Sequence, residues 1–278
     1  MDKGTLYICP TPIGNLEDIT LRTLNILKEA DLIAAEDTRH TLKLLNYYNI
    51  KKPLISYHEH NKRERGEKVI KEIIEGKRVA LVSDAGMPCI QDPGEDLIKL
   101  AIEKEIQIVA LPGASAFILA LVLSGFPTDK FVFEGFLSSS KKDRIKDLNR
   151  IRDENRTIIL YEAPHRFLDL MEDIIQVLGD RKISVSRELT KIHEETFRGK
   201  VSEGIKKFKE EGVKGELVII LEGKKEEEKN FDDLPVKEHI KQYMREGLSK
   251  KEAVKKVAKE RKLPRNQIYK EGINIEDK

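Results

Sequence analysis

An α/β body followed by a small all-helical domain is the fold class that the sequence predicts, on three observations. Short apolar, often β-branched runs alternate with amphipathic segments through residues 5–221. A stretch rich in acids and poor in apolar side chains interrupts the chain around 225–233. The remainder, 235–278, is basic and carries helix-capping signals. A length of 278 residues allows roughly two domains of about 150 residues, with room for a third, small one.

The runs 5–9, 32–35, 78–83, 106–111, 131–136, 157–161, 183–186 and 217–221 read as strands, each continuous enough to be buried on both faces. Between most of them lie amphipathic segments. The first is 21–28, with Leu21, Leu24, Ile26 and Leu27 facing inward, and the next is 64–75, with Val69, Ile70, Ile73 and Ile74 as its stripe. Segments 96–104, 115–123, 143–152 and 166–177 behave alike. Such alternation predicts largely parallel sheets, with eight strands in one sheet or two. In the appendage Pro235 opens a helix over 236–245 that Gly247 closes. Ser249 with Glu252 forms a capping box for a second helix to about 262, and Pro264 opens a third through Tyr269. Helix, short turn and short helix give a helix-turn-helix-like unit.

Charge sharpens these boundaries. The whole chain carries +2, but 235–278 carries +6, 222–234 carries −3 and 1–221 carries −1. Within 249–270 nine Lys/Arg face two Glu, which suits either a solvated helix face or RNA docking. The other basic stretch, 141–152, has six Lys/Arg against two Asp. With 39% hydrophobic residues the chain can bury a core, and disorder as the dominant state is excluded. The longest apolar run, 116–123, is eight residues, far short of the ~20 that span a bilayer. The N-terminal MDKGTLYICPTPIG lacks the apolar core of a signal peptide. Two distant cysteines, Cys9 and Cys89, exclude a disulfide framework and a zinc finger. A cytoplasmic protein with no membrane segment is expected. Abundant Lys, Glu and Ile with five Gln fit a thermophile or a biased genome equally.

Several chemistries are struck off by missing motifs. No GxxxxGK[ST] marks a P-loop, no GxGxxG follows a strand, and 113–117 lacks the second glycine of a hydrolase elbow. His58 and His60 make a metal pair without a third ligand, so no metal is expected.

Four loops at strand ends stand out instead, where open α/β sheets bind ligands. Pro10-Thr11-Pro12-Ile13-Gly14 rigidifies a turn that bares backbone N–H groups. Glu36-Asp37-Thr38-Arg39-His40 gathers acids, a hydroxyl and bases, although a helix start capped by Asp37 or Thr38 explains it as well. Ser83-Asp84-Ala85-Gly86-Met87-Pro88 precedes Asp92-Pro93-Gly94, and Leu111-Pro112-Gly113-Ala114-Ser115-Ala116 is a strand-to-helix turn of small residues.

In order and wording these loops resemble the ribosomal RNA small subunit methyltransferase I family, a branch of the tetrapyrrole-methylase superfamily. PTPIGNL, AEDTR, SYHEHN (56–61), SDAGMPCIQDPG (83–94), LPGASA, YEAPHR (161–166), ELTKIHEE (188–195) and KGELVIILEG (214–223) carry the resemblance over about 5–223. It extends weakly into the basic appendage. One departure is Ser138-Ser139-Ser140 after Gly135-Phe136-Leu137, where the family would place a proline.

The resemblance implies two α/β domains, 1–112 and 113–223, with a cofactor cleft between them. Beyond these come an acidic linker at 224–234 and the helical domain at 235–278. It implies a homodimer that binds S-adenosylmethionine (SAM) and methylates the ribose 2′-oxygen of a cytidine near the decoding centre of 16S rRNA in the small ribosomal subunit. Carried over position by position, SAM lies against Pro10, Pro12 and Gly14; Asp84, Gly86, Met87 and Ile90; and Gly113, Ser115 and Ala116. Beyond those it meets Glu162 and Ala163, then Gly215, Glu216 and Leu217.

Transfer to a hydroxyl needs donor and acceptor in line and a group to take the proton. Glu36, Asp37, His58, His165 and His193 are all candidates for that group, with Arg39 or Lys191 holding a carboxylate or phosphate. Glu36, Asp37, Arg39 and His58 form the expected catalytic set. Two alternatives stay open at this point. One is a related methyltransferase acting on a tetrapyrrole or other small substrate, and the other is a ligand-sensing helix-turn-helix DNA-binding protein.

Overall fold

In the computed structural model residues 3–225, 231, 234–273 and 275 are described, and the chain divides into units 1–224 and 225–278. Of the expected linker 224–234, residues 226–230 and 232–233 lie outside the described residues. Among the described residues no helix is long and apolar enough to cross a membrane.

The first unit contains two five-stranded sheets. Strands β1 (Thr5–Ile8), β2 (Leu32–Ala35), β3 (Leu54–Ser56), β4 (Val79–Val82) and β5 (Gln107–Ala110) are all parallel, in the order β3-β2-β4-β1-β5. Their crossovers are α1 (Leu21–Glu29), α2 (Thr38–Tyr47), α3 (Lys62–Ile74) and α4 (Glu95–Glu103). The chain moves one way along the sheet from β1 to β3 and then returns. Right-handed crossovers therefore put α1 and α2 on one face and α3 and α4 on the other. The side chains obey this with period two. Leu6, Ile8, Val79 and Leu81 pack with Val69, Ile73, Leu97 and Ala101, whereas Cys9, Ala80 and Val82 pack with Leu27 and Leu45. Leu21 and Ile74, expected inside, are exposed at 80% and 42%, because each sits at a helix end beyond the strands it would cover. Parallel pairing has one consequence for function: every loop leaving a strand's carboxyl end lies along the same edge.

The second sheet departs from the expectation of largely parallel pairing. Strands β6 (Phe131–Phe136), β7 (Thr157–Glu162), β8 (Lys182–Arg187), β9 (Glu195–Lys200) and β10 (Leu217–Leu221) run in the order β6-β7-β10-β8-β9, and only β6 and β7 pair in parallel. β10 is antiparallel to both β7 and β8, and β8 is antiparallel to β9. Strands buried on both faces read as the same apolar run whichever way they point, so direction was not legible. Two strands and one helix also escaped the sequence, and α2 was visible only as a capped start at Asp37. β3 is three residues after a proline, and β9 is a polar edge strand. α2 and α8 (Val201–Glu211) are mostly polar outside one narrow stripe.

One face of the second sheet packs Ile158, Leu160, Val185 and Ile219 against Phe167, Met171 and Ile174 of α7 (Phe167–Leu178) and Phe208 of α8. Its other face receives α5 (Ala116–Ser124) and Ile13 from the first half. α5 is apolar all round, so its outer face leaves Ile118, Leu119 and Val122 exposed. α6 (Lys141–Arg150) supplies most of the basic stretch 141–152, and four of its cations are paired with acids. Lys146 pairs with Asp143 at 2.7 Å, Arg150 with Glu134 at 3.2 Å, and Lys141 and Arg144 both reach Asp173.

The second unit is a three-helix bundle of α9 (Val236–Arg245), α10 (Lys250–Glu260) and α11 (Arg265–Gly272) around Ile240, Val254, Val257 and Ile268. Ser249 and Glu252 form the expected capping box, and Pro264 stands immediately before α11. Gly247 ends the α9 turn at φ +96°.

The Arg144–Asp173 pair is the buried charge that links α6 to α7, with Nη2 2.7 Å and Nε 2.8 Å from Oδ2. Removing one partner strands the other in an apolar setting. Asp173→Ala is therefore expected to destabilise the protein by about 3–5 kcal/mol, whereas a double replacement by apolar residues of similar volume restores most of it. Urea unfolding of the single and double variants checks both.

Candidate functional site

The loops after β1, β4 and β5 interlock. Thr11 and Gly86 form an antiparallel bridge, with Thr11 N–H donating to Gly86 O at 2.9 Å and Gly86 N–H to Thr11 O at 3.0 Å. The Thr11 hydroxyl donates to Ser83 O at 3.1 Å, and the Ser83 hydroxyl to Gly86 O at 3.1 Å. Gly86 has φ +84°, a conformation that side chains rarely adopt, and a Cβ there would lie 3.2 Å from Ile13. Gly113 packs so closely on Pro10 that a Cβ would come 2.5 Å from the proline ring. Three of the four loops singled out in the sequence thus form one cradle.

The fourth joins it through charge. The Asp37 N–H donates to Asp84 Oδ1 at 3.0 Å, tying the β2 end to the β4 end. Asp37 caps α2 by accepting the Arg39 N–H at 2.8 Å, and it grips the Arg39 guanidinium through both oxygens. That grip holds the Asp37 carboxyl far below its ordinary range, so it stays charged. Glu36 is the opposite case. Burial first, then the Asp84 charge, raise its carboxyl, while His58 works against the shift.

His58 is oriented by Asn61. The Asn61 amide nitrogen donates to the Ser56 carbonyl at 3.3 Å and lies 3.1 Å from His58 Nε2, and its oxygen accepts the His58 N–H at 2.9 Å. Because the Ser56 carbonyl can only accept, the amide orientation is fixed, and Nε2 is the accepting nitrogen. In neutral His58 the proton then sits on Nδ1, which is buried without a partner among the described residues.

Asp92 is the residue that the sequence reading quoted but did not assign. Burial, Glu36 and Asp84, in that order, push its carboxyl up to about 7, with the Ser83 hydroxyl opposing and Glu216 adding to the rise. Its loop is strained, since Cys89 and Gln91 on either side of Ile90 have φ +71° and +67°. Gln91 fills the space beside Gly135 of β6, where a Cβ would overlap its amide. An acid followed by Pro-Gly at a strand end was the available signal.

From the second half, loop 188–191 wedges against the first turn. A Cβ on Gly14 would lie 2.6 Å from Leu189 O, Thr190 Oγ1 and Lys191 Cγ. Thr190, a β-branched residue at φ +64°, buries an unpartnered hydroxyl here. Gly215 packs on Glu188, and Glu216 reaches Asp92 and Tyr161 electrostatically.

Not every expected contact points into the cradle. Leu217 is buried in the α7 side of the second sheet, and Glu162, paired opposite it, shares that face. The Glu162 carboxylate accepts the Ala163 N–H at 2.8 Å and meets Arg166 at 3.2 Å. Met87 packs into the first core, Ser115 starts α5 just ahead of Ala116, and Ile90, Pro12 and Gly14 keep exposed surface. His165 and His193 are exposed. The Ser138–Ser140 departure is held from both sides. Asp147 accepts from the Ser138 N–H and hydroxyl, and Arg166 Nη2 donates to the Leu137 and Ser138 carbonyls at 2.8 and 3.2 Å.

Comparison with known proteins follows the same outline. Residues 5–204 match the family model of Tetrapyrrole (Corrin/Porphyrin) Methylases. A Ribosomal RNA small subunit methyltransferase I from Halalkalibacterium halodurans is 48% identical over 272 residues, covering 96% of this chain and 94% of its own. One from Bacillus subtilis is 46% identical over 273 residues with the same coverage. A third, from Thermotoga maritima, is 49% identical over 221 residues, 80% of this chain but 99% of its own, so it has about the length of the first unit alone. Among solved structures, cobalt precorrin-4 methyltransferase superposes with a TM-score of 0.61 at 18% identity, over 78% of this chain and 94% of that one. Diphthine synthase does so at 0.61 and 16%, over 79% and 90%.

The raised Asp92 carboxyl makes a pH prediction. A group that binds its proton more tightly folded than unfolded stabilises the fold below its unfolded value, near 4, and loses that contribution as pH rises towards 7. Asp92→Asn should therefore melt higher than the parent at pH 8, with the gap closing at pH 4. Thermal scans at both pH values test it, and a gap that grew on acidification would contradict it.

Proposed function

The chain belongs to the ribosomal RNA small subunit methyltransferase I family of tetrapyrrole methylases, and from that premise we propose that its cradle methylates the ribose 2′-oxygen of a cytidine near the decoding centre of 16S rRNA. As a member of that family it is a SAM-dependent methyltransferase of small-subunit rRNA. Identity of this order over nearly the whole chain sets aside the tetrapyrrole-substrate and DNA-regulator alternatives.

One observation carries the reading: carboxylates from two neighbouring strand ends, Glu36, Asp84 and Asp92, meet beside the interlocked Pro10, Gly86 and Gly113 loops. Such a site fits SAM. Backbone approaches closely where side chains are missing, and anionic groups face a donor that is a sulfonium and an ammonium at once. SAM supplies a methyl group on a cationic sulfur that leaves as a neutral thioether. Residues 10–14, 84–87, 113–116 and 215–216 would hold it between the two halves, which we take as domains 1–112 and 113–223.

The remaining work falls to the β2 and β3 ends. Glu36, with its raised carboxyl, accepts the 2′-hydroxyl proton as the oxygen–carbon bond forms. His58 sits beside it, fixed by Asn61. Arg39 has 88% of its side chain exposed and uses one edge of its guanidinium on Asp37. Its other N–H groups stand at the rim, where they can bind a phosphate of the acceptor strand.

A second copy of the chain is the proposed cover for the outer face of α5. Ile118, Leu119 and Val122 are exposed there, and so is Phe131, whose ring lies 6.4 Å from that of Phe117 in α5. The cytoplasm, where small ribosomal subunits are, is the proposed location.

The test is tritiated SAM with undermethylated small subunits, followed by nucleoside analysis. Label in 2′-O-methylcytidine is expected, and label in a base or in no nucleoside contradicts the proposal. Within that assay Glu36→Gln should slow single-turnover transfer strongly with SAM affinity little changed. Asp37→Asn keeps a good helix cap but loses the Arg39 pair, so it and Arg39→Ala should lower the rate far more than SAM affinity. Equal losses in both quantities would place these residues at the cofactor instead.

A further inference from the structure

The basic appendage was weighed as solvated surface or RNA docking, and the structure separates its cations into two sets. Lys250 donates to the carbonyls of Ile273 and Ile275, Lys256 lies 4.0 Å from the Tyr243 ring centroid, and Arg261 bonds His239 and the Leu234 carbonyl. These three hold the bundle together. Lys251, Lys255 and Lys259 are different. They are exposed and make no side-chain hydrogen bond or ion pair with any described residue. Spaced four residues apart, they form one stripe along α10. The acids of that helix are engaged elsewhere, Glu252 in the cap and Glu260 with Tyr243 and His239.

α11 adds chemistry of another kind. Only Ile268 and Gly272 of this helix are buried. Its first three residues, Arg265, Asn266 and Gln267, are exposed and uncommitted among the described residues, and Tyr269 is 56% exposed. In helix-turn-helix units the N-terminal residues of the second helix contact bases while the preceding helix crosses the backbone. Arg, Asn and Gln are the side chains that pair bidentately with base edges, and Tyr is a stacking platform. The stripe on α10 and the cluster on α11 therefore offer phosphate contacts and base contacts on adjoining helices of one bundle.

Building on the proposed rRNA substrate, we propose that unit 225–278 is an RNA-reading head that docks on an unpaired segment of the small-subunit rRNA. Unpaired RNA is chosen over duplex because the deep, narrow A-form major groove excludes side chains, whereas splayed bases are open to hydrogen bonding and stacking. The Lys251, Lys255 and Lys259 stripe neutralises phosphates, and Arg265, Asn266, Gln267 and Tyr269 select the bases.

Two full-length variants test the division of labour, with circular dichroism and SAM binding as controls for an intact fold. K251Q/K255Q/K259Q should weaken binding to undermethylated subunits and to single-stranded RNA of any sequence. It should also lower the salt slope by about 2 units of log affinity per log salt, at roughly 0.7 per contact on single strands. R265A/N266A/Q267A should lose discrimination between the natural rRNA segment and a scrambled one, by about five- to a hundredfold per contact removed, with a smaller change of slope. Both should raise KM for subunits and leave kcat at saturation unchanged. Wild-type affinity and slope in the lysine variant would overturn the proposal and leave these lysines as solubilising surface. Preference of the parent for duplex DNA over the rRNA segment, abolished by the α11 changes, would overturn it in favour of a DNA reader. A parent that binds subunits through these residues yet transfers no methyl would support the head and contradict the proposed reaction.

Discussion

Much of the first unit depends on one short contact, the two-bond bridge between Thr11 and Gly86. It joins the loops that leave β1 and β4, neighbours in a sheet whose strands all point the same way. Those two loops depart towards opposite faces, since α1 and α4 lie on opposite sides. An open α/β sheet has its crevice at such a divergence. The bridge closes the base of that crevice, and Gly86 can make it only in a left-handed conformation. Pro10 and Gly113 then lock the β5 loop onto the same base, and Ile13 carries the turn across to the second sheet.

Once the crevice is fixed, charge follows from strand order. β2 and β4 are adjacent, so the acids at their ends meet, and Asp84 accepts the N–H of Asp37. Three carboxylates in partial burial cannot all ionise without cost. Asp92 and Glu36 carry that cost as raised carboxyls. Asp37 escapes it by gripping Arg39. A cationic donor relieves the repulsion, and a raised carboxyl such as that of Glu36 holds a proton more readily than a free one. The same cluster thereby suits both halves of a methyl transfer to a hydroxyl.

Much of this was legible in the sequence, for identifiable reasons. Apolar runs such as Val79–Val82 and Leu217–Leu221 announce buried strands, and Pro, Gly and small residues after them announce loops that must pack closely. Direction in the second sheet was hidden, because Ile219 and Leu221 look alike in either orientation. β9 was hidden as a polar edge, and β3 as three residues after Pro53. Glu162 illustrates a subtler limit. The resemblance sets SAM against Glu162 and Ala163, and only the alternation along β7 reveals that the Glu162 side chain turns to the helical face with Arg166. Asp92 and Thr190 were on the page as letters. Their interest lies in burial and backbone strain, which no linear pattern reports.

The central claim is that the shared carboxylates hold the sulfonium of SAM, and proton release tests it most directly. Titration calorimetry of SAM at pH 7, repeated in two buffers of different ionisation heat, counts the protons displaced. Because Asp92 titrates near that pH, a cation beside it should lower its value and expel a substantial fraction of a proton per SAM bound. The neutral-sulfur product, S-adenosylhomocysteine, should expel less, and Asp92→Asn should abolish the difference. Equal proton counts for SAM and its product in the parent protein would contradict the account.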